Sequence, residues 1–424
     1  MKATKFKSSE LGSIPVDWEV KRIGEVGKLM RDSVNTQVFP DQTYYEYSMP
    51  NYDDGRIPRV VLGRSLFSNK TSIQGEVLLF NKLNVRKRRI WYVKEVLPNA
   101  ICSSEFLPYY SKEIDLCFLS YFLSTDKCTS AFEDYSTGTS NSQKRIAPLD
   151  FENYTIPLPP IAEQRRIAGA LSDVDELISA LGKLIEKKRN IKTGAMQQLL
   201  TGKTRLPGFG ARRAEFKQTE LGLIPVDWEM KRLGDLASIA RGGSPRPIEA
   251  YLSTDINAVN WIKIGDVGPD AKYITETKER IIRDGISKSR MVYPGDFLLS
   301  NSMSFGRPYI TRIAGCIHDG WLVIQNYQEC YDTEFLYYIL GSDTVSCQYI
   351  TMAAGSSVQN LNKDVVAGVI TPIPPLAEQK AIAAVLSDMD AEIAALEADR
   401  AKYERIKSGM MQELLTGKTR LRGK

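Results

Sequence analysis

Two kinds of apolar spacing alternate along the chain. In the first kind, apolar residues recur at Ile167, Leu171, Val174, Ile178, Leu181 and Ile185. They recur again at Ile382, Leu386, Met389, Ile393 and Leu396, then at Tyr403, Met410 and Leu414. Alternating steps of three and four residues place one apolar stripe on a helix, the pattern of a coiled-coil seam. Tandem prolines (Pro159-Pro160 in the first run) suit a helix start, where proline loses no needed N–H. Gly202 and Gly417 suit the C-terminal stop. Each helix then spans about 40 residues, or about 60 Å at 1.5 Å per residue. A lone helix with one long apolar stripe needs a partner, and its own copy is the nearest candidate. Because a globular segment intervenes, the pair should run antiparallel.

The second kind is short. Val77–Phe80, Ile90–Val93 and Ile262–Ile264 are apolar runs broken by Gly, Pro, Asn and Asp, and they predict strands. Residues 14–30 and 224–240 read as strand-like segments with turns. Phe118–Leu123 and Phe335–Leu340 predict short helices. Each such region forms a mixed α/β globule of about 150 residues.

The alternation is a duplication. ELGSIPVDWEVKR at Glu10–Arg22 returns as ELGLIPVDWEMKR at Glu220–Arg232, with eleven of 13 positions identical. Pro157–Leu206 returns without a gap as Pro372–Leu421, with 29 identities in 50. Between these ends only echoes remain, such as GEVLLFNK at Gly75–Lys82 against GDFLLSNS at Gly295–Ser302. The expected fold is therefore α+β: two mixed α/β domains separated by two long helices that form an antiparallel coiled coil, with a pseudo-two-fold. Domain boundaries fall at 1–156, 157–206, 207–371 and 372–424. Two like domains with different surfaces imply two related recognition tasks. A rod of about 60 Å can hold two such domains at the ~34 Å repeat of one DNA face.

Composition narrows the choices. Of the 424 residues, 43% are hydrophobic and 25% charged, as in an ordinary soluble protein. No apolar run is long enough to span a membrane, and the N-terminal MKATKFKSSE, with lysines but no apolar core behind them, does not read as a secretory signal. Six scattered cysteines without CxxC spacing suit a reducing cytosol, so a cytoplasmic location is expected. The single histidine, His318, excludes multi-histidine metal sites. The net charge of +5 is mild. Arg86-Lys87-Arg88-Arg89, Lys144-Arg145 and Lys187-Lys188-Arg189 are local basic clusters, each equally readable as a solvated face.

Catalytic motifs fail on inspection. Gly202-Lys203-Thr204 and Gly417-Lys418-Thr419 lack the upstream glycine of a phosphate loop and sit at a helix C-terminus. A nuclease-like string, Pro269-Asp270 with Glu276-Thr277-Lys278, has no counterpart in the first half and reads as a surface turn. His318-Asp319 could form a general-base pair. The first half has Cys102-Ser103 there, so His318 reads as structural or as a polar contact. No metal site is expected.

What remains is groove-reading chemistry on glycine-punctuated loops. Arginine can bond guanine bidentately and Asn or Gln can bond adenine, while Lys and Ser hold phosphates. The first half offers Arg31, Arg56, Arg59, Lys82, Asn84, Arg86, Arg88, Ser140, Asn141, Gln143 and Lys144. The second offers Arg241, Ser244, Arg246, Asn301, Ser304, Arg307, Ser356, Gln359, Asn360 and Lys363.

FKSSELGSIPVDWEVKRIG and its copy, with IPLPPIAEQRRIAGALSDVD and the two LLTGKTRL ends, resemble the specificity subunit of type I restriction–modification enzymes. ARGGSPRP at Ala240–Pro247 also resembles a loop near the start of such recognition domains. The resemblance spans essentially the whole chain. It implies a non-catalytic subunit that binds double-stranded DNA, each target-recognition domain reading one part of a split sequence and the helices setting the spacer. It further implies two modification (methyltransferase) subunits and two restriction (translocase/nuclease) subunits as partners. S-adenosylmethionine, ATP and Mg are expected on those partners, with no cofactor on this chain and no membrane association. Glu163, Gln164, Glu378, Gln379, Lys203 and Lys418 match the family's helical motifs and are candidates for structural or subunit-docking roles. The alternative is an interaction scaffold without DNA reading.

Overall fold

Val77–Asn81 is an uninterrupted apolar run, and in the computed structural model it is a strand buried along its whole length. Successive side chains point to opposite faces of a strand. Leu78 and Phe80 therefore enter one core, and Val77 and Leu79 enter another. Phe297–Ser300 repeats this arrangement, with Phe297 and Leu299 in one core and Leu298 in a second. A strand buried on both faces needs no alternation, which is why these runs read as continuous apolar segments. The structure describes residues 5–138, 140, 143–210, 215–268, 271–301, 306–353 and 361–422.

The fold is mixed α+β and forms two compact units, residues 1–182 with 398–424, and residues 183–397. In the first unit, a four-stranded sheet has the order Ile90–Val93, Val77–Asn81, Phe106–Tyr110, Lys28–Leu29. A five-stranded sheet has the order Ser33–Val34, Lys70–Ser72, Ala100–Ser103, Thr43–Tyr47, Arg59–Leu62, with one parallel pair between Ala100–Ser103 and Thr43–Tyr47. The helices Leu116–Leu123 and Asp126–Tyr135 are capped by Asp115 and Thr125. The predicted strands at 77–80 and 90–93 and the predicted short helix at 118–123 are all present.

In the second unit, two five-stranded sheets have equivalent roles. Gly315–Ile317 runs parallel to Val259–Ile262, as Ala100–Ser103 does to Thr43–Tyr47. The strand expected at Ile262–Ile264 lies slightly earlier, because Ile264 already turns into a short 3-10 segment. The second short helix is Thr333–Leu340, capped by Asp332.

Two long helices, Ile161–Leu199 and Leu376–Leu414, each have 39 residues. Every stripe residue named from the sequence is buried or half-buried. The first turns do more than line a helix seam. Ile167 and Leu171 join the core of the first unit around Trp18, and Ile382 and Leu386 join that of the second around Trp228. Within the first unit, Glu163 pairs with Arg420 and Asp175 with Lys407. Within the second, Lys188 pairs with Glu392, Arg189 with Glu397 and Lys192 with Asp390. The Lys187-Lys188-Arg189 cluster is thus partly consumed by these pairs. No helix among the described residues is long and apolar enough to cross a membrane.

Candidate nucleic-acid interface

In the first unit the basic residues gather on loops carried by one sheet end. The segment after Val77–Asn81 turns back through Lys82–Arg89, and Asn84 and Arg88 both take left-handed backbone conformations. Asn adopts that region readily, whereas a long side chain such as that of Arg88 does so at a cost. Leu83 and Thr137 both bridge to Arg145, and the Asn84 N–H donates to the Lys144 carbonyl at 2.8 Å. These contacts bring Lys82, Asn84, Arg86 and Arg88 beside Ser140, Gln143 and Lys144. Tyr52 donates to the Arg88 carbonyl at 3.2 Å, and the Arg56 guanidinium lies 4.7 Å from the Tyr52 ring centre, so Arg56 joins the cluster.

Several of these arginines have intramolecular partners. Arg86 pairs with Glu133 and Arg88 with Asp126. Arg89 grips Asp53 through two bonds of 2.6 and 2.8 Å, which holds the Asp53 carboxyl below its usual range. Lys82, Lys87 and Lys144 carry no ion pair among the described residues. Arg31 is instead held by Glu152 at 3.2 Å, and Arg59 is exposed on an edge strand. Neither joins the cluster through a described contact. Asn141 lies outside the described residues.

In the second unit the turn His318–Gly320 is the meeting point. Ser244 donates to the Asp319 carboxylate at 2.8 Å, and this bond lowers the Asp319 pKa. Arg246 lies 3.6 Å from the same carboxylate. Arg241 and the Asn301 amide donate to the Asp319 carbonyl at 2.9 and 3.1 Å. Leu361 N–H donates to the Asn301 carbonyl at 3.0 Å, which brings Lys363, at the start of helix Lys363–Gly368, to the same side. A cleft of about 560 Å³ opens beside this turn, lined by Ser244, Arg246, Trp261, Lys263, Glu279 and His318 among others.

This geometry corrects one expectation, that for Asn301. Asn301 is buried and spends its amide on Asp319, so it supports the loop and is not placed to read a base. Arg307 is half-buried with its guanidinium 5.6 Å from the Tyr309 ring centre. Ser304, Ser356, Gln359 and Asn360 lie outside the described residues.

His318 is structural. Gly320 and Ile264 N–H groups point at Nδ1 (2.7 Å) and Nε2 (3.1 Å). A neutral imidazole accepts from one of them and an imidazolium from neither, and burial lowers the His318 pKa. Strand register also revises its counterpart in the first half. Phe106 pairs with Asn81 as Trp321 pairs with Ser300, so Ser103-Ser104, and not Cys102-Ser103, corresponds in position to His318-Asp319. In the nuclease-like string, Glu276 is exposed and Lys278 donates to the Gly265 carbonyl, while Asp270 lies outside the described residues.

The helical motifs form two matching clamps. In the first unit, Arg420 donates to Glu163 at 2.6 and 2.7 Å and to Asp17 through two bonds of 2.8 Å. Trp18 N–H donates to Glu163 at 3.3 Å, and the guanidinium lies 5.5 Å from the Trp18 ring. In the second unit, Arg205 donates to Glu378 at 2.6 Å and to Asp227 at 2.9 and 3.0 Å, and Trp228 N–H donates to Glu378 at 3.0 Å. Arginine bonds hold Asp17 and Asp227 below the usual carboxylate range. Gly417 and Gly202 end the long helices with φ of 71° and 69°. A Cβ at either would fall 2.5 Å from Pro15 or Pro225.

Gln164 and Gln379 complete the clamps. Each accepts from the N-cap residue of a domain helix, Asp115 or Asp332, at 2.9 Å. Glu163, Gln164, Glu378 and Gln379 are all at most 2% exposed. They meet their own domains and are closed off from solvent, as a structural role requires. Lys203 and Lys418 are exposed. Each lies at a cleft, about 540 Å³ around Lys203 and about 780 Å³ around Lys418, lined at matching positions by Leu200 and Ile224 or Leu415 and Ile14. Sequence reasoning gave Arg205 and Arg420 no role of their own and read Asp319 only as a neighbour of His318; recurrence of Asp-Trp with a distant TGKTR was the available signal for the two arginines.

The family model of the type I restriction modification DNA specificity domain matches residues 15–190 and 225–407. The chain is similar to the type I restriction enzyme MjaVIII specificity subunit of Methanocaldococcus jannaschii, 28% identical over 435 residues, covering 99% of this chain and 97% of the relative. It is also similar to the type I restriction enzyme EcoDI specificity subunit of Escherichia coli, 23% identical over 400 residues, covering 88% and 81%. Among solved structures, a chain from a type I restriction–modification system superposes with a TM-score of 0.61 at 22% identity, covering 96% of this chain and 99% of that one. The type I S subunit from M. genitalium gives 0.56 at 14% identity, covering 97% and 98%. These two likenesses establish the fold.

Proposed function

The chain belongs to the type I restriction–modification specificity-subunit family and carries two of its DNA specificity domains, and from that premise we propose that each domain reads one part of a split DNA target. The observation that carries this reading is the clustering on each domain. The first collects Lys82, Arg86, Lys87, Arg88 and Lys144 on joined loops, and the second collects Arg241, Ser244 and Arg246 around one turn. Cationic and amide groups on loops braced by a rigid sheet suit phosphate contacts and base edges together.

The long helices act as the spacer, paired as an antiparallel coiled coil under a pseudo-two-fold. Support comes from the order of pairs inside each unit. From Glu163–Arg420 to Asp175–Lys407 one number rises as the other falls. The same holds from Arg189–Glu397 to Arg205–Glu378. Two matching clefts, with Lys203 and Lys418 exposed at them, suit a partner present in two copies, the modification subunits. Two restriction subunits complete the assembly. Methyl transfer and cleavage, with S-adenosylmethionine, ATP and Mg, belong to those partners in the cytoplasm, and this chain supplies specificity alone.

The test is methylation mapping with the complex reconstituted from this chain and its modification subunits. The expected result is a bipartite sequence, with Arg241→Ala altering preference in one part only. Equal loss in both parts would overturn independent reading, and binding without any sequence preference would favour an interaction scaffold.

A further inference from the structure

The turn after the strand Ala100–Ser103, and its counterpart after Gly315–Ile317, do the same job with different residues. In both domains this turn leads into a strand of the central sheet, Phe106–Tyr110 or Trp321–Gln325. In both, a backbone bond ties it to the loop leaving the buried strand. Lys82 N–H donates to the Glu105 carbonyl at 3.0 Å, and Asn301 N–H donates to the Gly320 carbonyl at 3.1 Å. A second bond then carries that loop to a third segment, Ile146 N–H to the Lys82 carbonyl at 3.1 Å and Leu361 N–H to the Asn301 carbonyl at 3.0 Å. The backbone frame is thus shared.

The side chains on the frame differ. In the first domain the carboxylate stands at the third place of the turn. Glu105 grips Arg145 through bonds of 3.0 and 3.1 Å, and Arg145 is the residue bridging Leu83 and Thr137. In the second domain the third place is Gly320, where a Cβ would meet the His318 ring at 2.2 Å. The carboxylate stands one place earlier, as Asp319. It therefore gathers a different loop, Arg241–Arg246, through Ser244 and Arg246. Gly242 and Gly243 permit this approach: a Cβ on Gly242 would lie 2.2 Å from the His318 carbonyl oxygen, and one on Gly243 would lie 2.9 Å from that of Lys288.

We propose that this turn selects which loops make up each reading surface, with Glu105 and Asp319 as the positioning residues that set the half-site preference of their own domains. Both carboxylates act through arginine and serine side chains and need not touch DNA. A carboxylate facing a phosphate would repel it, whereas one that fixes the rotamer of a neighbouring arginine sharpens that arginine's choice of base. The proposal rests on the DNA-reading function and deepens it.

The experiment uses the complex of the full chain with its modification subunits and a randomised DNA library carrying both half-sites. Asp319→Ala should relax discrimination at one or more positions of the second domain's half-site by about tenfold, within what one good base contact supplies. Preference at the first half-site and affinity for nonspecific DNA should not change. Asp319→Asn keeps an acceptor for Ser244 but drops the charge facing Arg246, and its effect should be smaller. Glu105→Gln should relax the first half-site alone. Hydrogen exchange over Trp321–Gln325 reports whether the sheet stays folded, and Ser244→Ala supplies a second, milder variant. Should wild type discriminate at both half-sites while Asp319→Ala and Ser244→Ala match it, the turn is not a selector. Equal relaxation of both half-sites by Asp319→Ala would also overturn it. A wild-type complex without sequence preference would remove the DNA-reading function itself.

Discussion

Replacing Arg420 by alanine should open the first clamp and leave the second closed. The Arg420 side chain is 5% exposed and that of Glu163 is 2% exposed, with two bonds of 2.6 and 2.7 Å between them. Without the guanidinium, Glu163 keeps only the Trp18 N–H at 3.3 Å. Stranding one partner of a buried ion pair costs about 3–5 kcal/mol. The bonds to Asp17 add little, because that carboxylate is 42% exposed and solvent-screened. At about 1.4 kcal/mol per factor of ten, local opening rises by roughly two to three and a half orders of magnitude. The duplication supplies the control. Hydrogen exchange should accelerate in segments 10–22 and 414–421, while the matching segments 220–232 and 199–206, held by Arg205 and Glu378, keep wild-type protection. Adding Glu163→Gln removes the stranded charge and keeps an acceptor for Trp18, so the double variant should regain much of the loss. Acceleration below about tenfold, or equal acceleration in both copies, would refute the clamp as a local ionic lock.

Two further predictions concern the second domain and the basic loop. His318 is the chain's sole histidine, so a histidine-labelled sample gives one imidazole resonance to titrate. Because burial lowers its folded-state pKa, the unfolded chain takes up the proton first, and stability of this domain should begin to fall as pH drops below about 6.5, with no loss above neutrality. A folded-state midpoint at or above about 6.5 would contradict the buried neutral ring. In DNA binding by the assembled complex, Lys87→Ala should reduce the slope of log affinity against log salt by about 0.9, since Lys87 forms no ion pair among the described residues. Arg86→Ala should change it less, because Arg86 already pairs with Glu133; identical slopes for the two variants would refute that distinction.

The elements were legible where local pattern decides structure. Val77–Phe80 could be only a doubly buried strand or a helix fragment, and its length and flanking Gly75 and Asn81 decide for a strand. The long helices were legible because the stripe persists for 39 residues between prolines and a left-handed glycine. Legibility failed where function depends on pairing across distance. Arg420 meets Glu163 across 257 positions, and nothing local to either marks the other. The candidate readers show the same limit. Asn301 and Arg86 have suitable side chains, yet one is buried and the other already engages a carboxylate. Residue type states what a group can bond, and only the fold states what it has bonded already.

The distribution of identity between the copies follows from this division of labour. Asp17, Trp18, Glu163, Gln164, Gly417 and Arg420 all recur, as Asp227, Trp228, Glu378, Gln379, Gly202 and Arg205, because each group in the clamp has its geometry fixed by the others. A buried carboxylate held by one arginine and one indole tolerates no substitution of a single member without stranding a charge or a donor. The turn carrying Glu105 or Asp319 is under no such constraint. Its shared contacts are backbone bonds, which do not fix where the carboxylate stands, and its half-buried carboxylate can move one place along the chain and recruit another loop. Duplication of this chain therefore kept what joins domain to helix and released what faces outward. Two copies of one scaffold can then acquire unlike surfaces without losing the clamps that hold them.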